Sequence, residues 1–96
     1  MIAICVREDG ITVSGHAGYA EQGNDIICAA VSALAQNLIK SIEDLTDDVI
    51  VYDIAPGNIN IRYKNLSEQG KLLVDSFFIG ICGIQEAYGS KYVAVQ

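Results

Sequence analysis

The chain has 96 residues, enough for one domain, and its 51 % hydrophobic share supplies a core with a surplus for a second apolar surface. Its formal net charge is -6 with Lys and Arg scattered, which argues against phosphate contacts and direct nucleic-acid binding; the acidity steers a cationic partner or serves solubility alone. Three cysteines are too few for a disulfide framework, the opening residues lack a signal peptide's basic region, and no apolar run approaches the ~20 residues of a membrane span, so a reducing cytoplasm is the expected setting.

Residues 2–7, IAICVR, read as a strand. Asp9-Gly10 and a second apolar run, ITVSG, follow. A DG pair between two such runs predicts a hairpin whose central turn residues, Asp9 and Gly10, have positive φ. His16, the only histidine, leaves the end of the second strand. Residues 17–24, AGYAEQGN, lack periodicity and carry two glycines, which predicts a loop with freedom to move.

Asn24 or Asp25 then caps a helix. Ile27, Ala30, Val31, Leu34, Leu38 and Ile42 form its apolar stripe. Cys28 falls on the border of that stripe, beside Ser32 and Ala35. The helix should end near Glu43-Asp44. The following Thr46, Asp47 and Asp48 read as a solvated connector, or as charges for recognition, since acidic groups at a helix C-terminus oppose its dipole.

VIVYDI at 49–54 and INIRY at 59–63 flank Ala-Pro-Gly-Asn and predict a second hairpin, with Asn58, Asn60, Arg62 and Lys64 on a wet face. Ser67 starts a second helix, to about Tyr88. Leu73, Phe77, Ile81, Ile84 and Tyr88 form its stripe. Leu72, Val74, Phe78, Ile79 and Cys82 cover much of the remainder, so this helix should be buried on more than one side, with another subunit as the second cover. YVAV at 92–95 is the last strand. The expected fold is α+β in ββαββαβ order, a small, mostly antiparallel sheet packed with two helices, with residues 1–96 as a single domain.

The chemistry concentrates in the first loop and helix. A free thiol has a pKa of about 8.5 and is mostly protonated at neutral pH. Cys28 lies in the first turn of its helix, where the dipole and unpaired N–H groups favour an anion, and His16 is within reach to pair with it. A thiolate attacks an acyl carbon, imidazolium protonates the leaving amine, and N–H groups at the helix start are candidate oxyanion donors. Against this, a lone Cys/His pair is a weak signal: Cys28 also reads as a small core residue, as free cysteines usually are, and His16 as a strand end with local hydrogen bonds. Cys5 and Cys82 read as structural.

Asp25 is a cap, or also orients His16 as a third member. Ser32 bonds the carbonyl one turn back or lines the pocket. Gly15, Gly18 and Gly23 supply turn geometry, or let the loop open and close over a peptide. Zinc would want three or four ligands; with one His and no CxxC pair, no metal and no cofactor is expected.

SGHAGYAEQGNDIICAAVSALAQNL closely resembles the signature of the Prp family, bacterial ribosomal-processing cysteine proteases. Gly15-His16-Ala17, the 18–24 loop, Asp25, Cys28-Ala29-Ala30 and Ser32 match its pattern. The resemblance implies a thiol protease with Cys28 as nucleophile and His16 as base, supported by Asp25, Ser32 and Gly15. Ala17, Gly18, Tyr19 and Gly23 would belong to its substrate loop. It implies removal of a short N-terminal extension from a large-subunit ribosomal protein, with the cut after an aromatic residue, and a homodimeric α/β fold. The substrate would then be a basic ribosomal precursor, and neither nucleic acid nor membrane a direct partner. Two other readings are a non-catalytic ribosome-associated assembly module with a structural Cys28, and a redox switch at Cys28, which lacks a nearby resolving cysteine.

Overall fold

The computed structural model describes residues 1–21 and 23–96. Its elements are β1 (Ile2–Arg7), β2 (Gly10–Ser14), α1 (Ile26–Leu45), β3 (Ile50–Ala55), β4 (Asn58–Tyr63), α2 (Glu68–Tyr88) and β5 (Val93–Val95). This is the expected ββαββαβ order. The strands form one mixed sheet in the order β3-β4-β2-β1-β5. Only the β1–β5 pair is parallel; the other three pairs are antiparallel.

Strand alternation decides which face is covered. Ile4 lies beside Val13, Val13 beside Ile59, Ile11 beside Ile61 and Ile2 beside Val93, and all of these are buried. Their neighbours Cys5, Thr12 and Asn60 share the opposite face and are half-buried. Both helices therefore pack on one side. From α1 come Ile27, Val31, Ala35, Leu38, Ile39 and Ile42, and from α2 Val74, Phe77 and Ile81. A fully buried Ile such as Ile42, Ile61 or Ile81 stabilises the fold by roughly 2–3 kcal/mol relative to exposure. By length and composition alone α1 is long and apolar enough to cross a membrane, although Gln36, Asn37, Lys40, Glu43 and Asp44 interrupt it, so no continuous apolar run has that length. Here its apolar face is spent on the sheet and on α2.

Several local expectations are corrected. The first hairpin exists, but β1 Arg7 pairs with β2 Gly10, so its turn residues are Glu8 and Asp9. Neither Asp9 nor Gly10 has a positive φ. Gly10 is needed for another reason: a Cβ there would lie 2.5 Å from the Ile61 carbonyl oxygen of β4. Ala35 is buried rather than on the stripe border, and Val74 packs in the core while Leu73 is only partly covered. The helix α1 runs on to Leu45, where the Thr46 N–H closes onto the Ile42 carbonyl.

The acidic connector is not simply solvated. Asp48 accepts from the N–H and the hydroxyl of Ser67, and Ser67 in turn caps α2 by accepting from the Gly70 N–H. The second hairpin turns at Pro56-Gly57, with Gly57 at φ +71° as a type II turn requires. On α2, Leu72 and Ile79 remain about 70 % exposed (69 and 71 %), and Phe78 is exposed beside them.

Candidate active site

The end of β2 delivers His16 through a constrained glycine. Gly15 has φ +93°, and any side chain on it would run into the Met1 carbonyl oxygen. Its N–H donates to the Gly57 carbonyl at 2.9 Å, one step past the last β2–β4 pair, Ser14 with Asn58. Ala17 then packs into the core, 4 % exposed. Its N–H donates to the Cys28 Sγ at 3.3 Å. That bond ties the residue after the histidine to the sulfur.

Asp25 is the N-cap of α1 and is 8 % exposed. Its Oδ1 accepts from the N–H groups of Ile27 and Cys28, both at 3.0 Å. Its Oδ2 accepts from Tyr19 at 3.0 Å and from Ala20 at 3.5 Å. Burial would raise its pKa, but the N–H groups of Cys28, Tyr19, Ala20 and Ile27 offset this and hold it below the usual carboxylate value. Both oxygens are thus engaged by backbone, in the capping role rather than on His16.

Two consequences revise the expected chemistry. The N–H groups of Ile27 and Cys28 are consumed by Asp25, so they are not free oxyanion donors. The same carboxylate shares the positive end of α1, which leaves the Ala17 N–H as the polar contact made directly with the sulfur.

Two clefts meet at the site. One, of about 330 Å³, has apolar walls from Val13, Val31, Ile54 and Ile59 and includes Gly15 and Gln36. The other, of about 390 Å³, is lined by Gly18, Ala20, Gly23, Asp25 and Ala29. His16, Cys28, Ser32, Pro56 and Gly57 line both. The imidazole and the thiol thus open onto the same space, with Ser32 one turn along α1.

Of the residues read from the sequence, Ala17 and Tyr19 line neither cleft. Ala17 is an anchor, and Tyr19 packs edge-to-face on Tyr88 and Tyr92, with centroids 5.8 and 5.3 Å apart. Part of the mobile-loop expectation falls on Gln22, outside the described residues. The wall from Ile54 to Ile59 was missed. Its only local signal was a Pro-Gly turn, and nothing in the sequence set that turn beside His16. Among the described residues, no three His, Cys, Asp or Glu side chains converge as a metal-binding group.

The family model described as cysteine protease Prp matches residues 1–93. The chain belongs to the Prp cysteine protease family. Its relatives include the ribosomal processing cysteine protease Prp of Staphylococcus aureus (strain Mu50), 29 % identical over 97 residues, which cover 94 % of this chain and 92 % of that one. The Prp of Mycoplasma genitalium is 28 % identical over 98 residues, covering 92 % and 99 %. In fold, the chain is similar to crystalline S. aureus Prp with a covalently linked product peptide, at TM-score 0.87 and 22 % identity, over 99 % of this chain and 95 % of that one. The same Prp with a substrate peptide gives a TM-score of 0.81. This Prp-family chain is therefore an α+β member of a cysteine protease family.

Proposed function

We propose that this Prp-family protease uses Cys28 as nucleophile and His16 as base to remove an N-terminal extension from a basic ribosomal protein precursor. One observation carries the residue assignment: His16 and Cys28 line the same two clefts, with the Ala17 N–H on the sulfur. The Cys28 thiolate attacks the scissile carbonyl carbon. As the C–N bond breaks, His16 imidazolium gives its proton to the leaving amine. A thioester to Cys28 remains. Neutral His16 then takes a proton from water, the hydroxide adds to the thioester, and the carboxylic product leaves with the thiolate restored. The Ala17 N–H stabilises the negative sulfur at the start and the end of the cycle.

The substrate class rests on the names of the relatives, and the charge of -6 suits a basic chain drawn in by long-range attraction. The apolar walls beside Cys28, from Val13, Val31, Ile54 and Ile59, suit a large apolar or aromatic residue before the cut. The exposed Leu72, Phe78 and Ile79 of α2 support a homodimer with this face as its contact, and the free cysteines suit the cytoplasm.

The test is incubation of the protein with the extended precursor, wild type beside Cys28→Ser. Wild type should release the trimmed product, while Cys28→Ser binds the precursor without cutting it. Unimpaired cleavage by Cys28→Ser would remove the nucleophile assignment. Cleavage of unrelated apolar peptides with no preference for the precursor would remove the substrate assignment.

A further inference from the structure

We propose that Gly57, in the turn between β3 and β4, is a positioning residue for His16: its missing side chain leaves the space the imidazole occupies, and its carbonyl holds the backbone that delivers the ring. The proposal rests on the Cys28–His16 reading above.

Glycine at this position has two separable causes. The first is the turn itself, since φ is +71°. A type II turn accepts glycine or asparagine there. The second is specific to this fold. A Cβ on Gly57 would lie 2.6 Å from His16 Nε2 and 3.1 Å from Cε1. Real side chains do not approach so closely, so either the ring or the turn would have to move. Gly18 and Gly23 also have positive φ, at +69° and +94°, yet a Cβ on either meets nothing within 4 Å. Their conformation explains them; it does not fully explain Gly57.

The contact is also braced. The Gly57 carbonyl accepts from the Gly15 N–H at 2.9 Å. The Met1 carbonyl oxygen lies close beside Gly15 and leaves no room for a side chain there. The residue before His16 thus lies between the Met1 backbone and the turn, bonded to the turn, while the ring rests against the turn itself. On the far side, the Ala17 N–H reaches the sulfur. Pro56 and Gly57 are also the residues outside the 15–32 segment that line both clefts. A nucleophile and base separated along the chain need their mutual geometry fixed from outside, and small displacements are costly in rate. The turn supplies that fixed surface for the base.

Asparagine separates the two causes, because it suits the turn but carries a Cβ. For Gly57→Asn, circular dichroism should keep the wild-type shape. The ring-proton resonances of His16, the one histidine in the chain, should shift. The kcat for precursor cleavage should drop roughly 10- to 100-fold with KM little changed. A folded Gly57→Asn with unmoved His16 resonances and wild-type kcat overturns the proposal.

If the variant does not fold, wild-type protein decides. A nuclear Overhauser contact between the Gly57 Hα protons and the imidazole protons supports the proposal, and its absence overturns it. His16→Ala tests the underlying reading separately. If His16→Ala still cleaves, the Cys28–His16 assignment has failed whatever Gly57 does. If His16→Ala is inactive and Gly57→Asn is normal, only the positioning role has failed.

Discussion

The backbone N–H of Ala17 and the Sγ of Cys28 are 3.3 Å apart, a direct bond between the segment that carries His16 and the helix that carries Cys28. Ala17 is itself buried, so this bond is set by the core rather than by a surface loop. Its geometry follows from two anchors, the β2–β4 pairing before Gly15 and the Asp25 cap after the loop.

Asp25 divides its two oxygens between two tasks, and substitution should separate them. Asp25→Asn keeps one oxygen for the Ile27 and Cys28 N–H groups, but turns an amide NH₂ toward Tyr19 and Ala20. The helix cap survives and the loop anchor does not. Activity should fall roughly tenfold, about the effect of one charge-assisted hydrogen bond, with a small change in Tm. Asp25→Ala should lower both. Equal loss of Tm in the two variants would refute this division.

The lowered pKa of Asp25 sets a pH dependence whose sign is fixed. The folded state favours its ionised form, so the carboxylate contributes stability above the unfolded pKa of about 3.9 and loses it as pH falls through the lower folded value. The Tm difference between wild type and Asp25→Asn should be constant from neutral pH down to about 5 and should shrink below about 4. A difference that grows in acid contradicts the assigned hydrogen bonds.

Tyr19 is held between Tyr88 and Tyr92 in edge-to-face contacts. Such pairs contribute about 0.5–1.5 kcal/mol beyond area burial. A double-mutant cycle of Tyr19→Ala and Tyr92→Ala should give a coupling of about 1 kcal/mol. Tyr19→Phe should be nearly neutral, because the Tyr19 hydroxyl plays no part in the ring geometry.

Gly70→Ala should destabilise the protein although alanine is the better helix former by about 1 kcal/mol. A Cβ there would collide with the Asp48 carboxylate, which is already committed to Ser67. The expected net cost is about 1–3 kcal/mol in urea unfolding. It should be smaller in an Asp48→Ala background, where the obstacle is gone.

Ile79→Asp should leave the fold intact, since that side chain is 71 % exposed; if the proposed homodimer forms through this face, the variant should sediment as a monomer where wild type sediments as a dimer. An unchanged sedimentation coefficient at every concentration would rule out this helix face as the subunit contact.

Local pattern carried the element order, and cap chemistry carried the helix starts. Asp25 and Ser67 sit where a side-chain oxygen before an apolar period predicts them. The first hairpin shows the limit. Asp9-Gly10 matches a favoured turn pair, but Gly10 is glycine because β4 crosses close beside it, a fact held in the pairing of distant strands. The acidic run after α1 failed for a similar reason. Asp48 looks solvated until the start of α2 folds back onto it. His16 and Cys28 stood out as candidates because the chemistry restricts the residue types, and the fold sets both on the same two clefts. The Ile54–Ile59 wall was not, because apolar residues on a hairpin serve a core and a cleft equally well.

The pairing of β1 with β5 makes neighbours of the two strands of the sheet that lie farthest apart along the chain. Ile2 donates its N–H to the Tyr92 carbonyl, and Val93 is fully buried beside it. Without β5, the flank of β1 would be an unpaired strand edge next to the hole that Val93 fills. The sheet is therefore finished only by its most distant pairing, and a chain cut before Tyr92 should expose a sticky edge and aggregate.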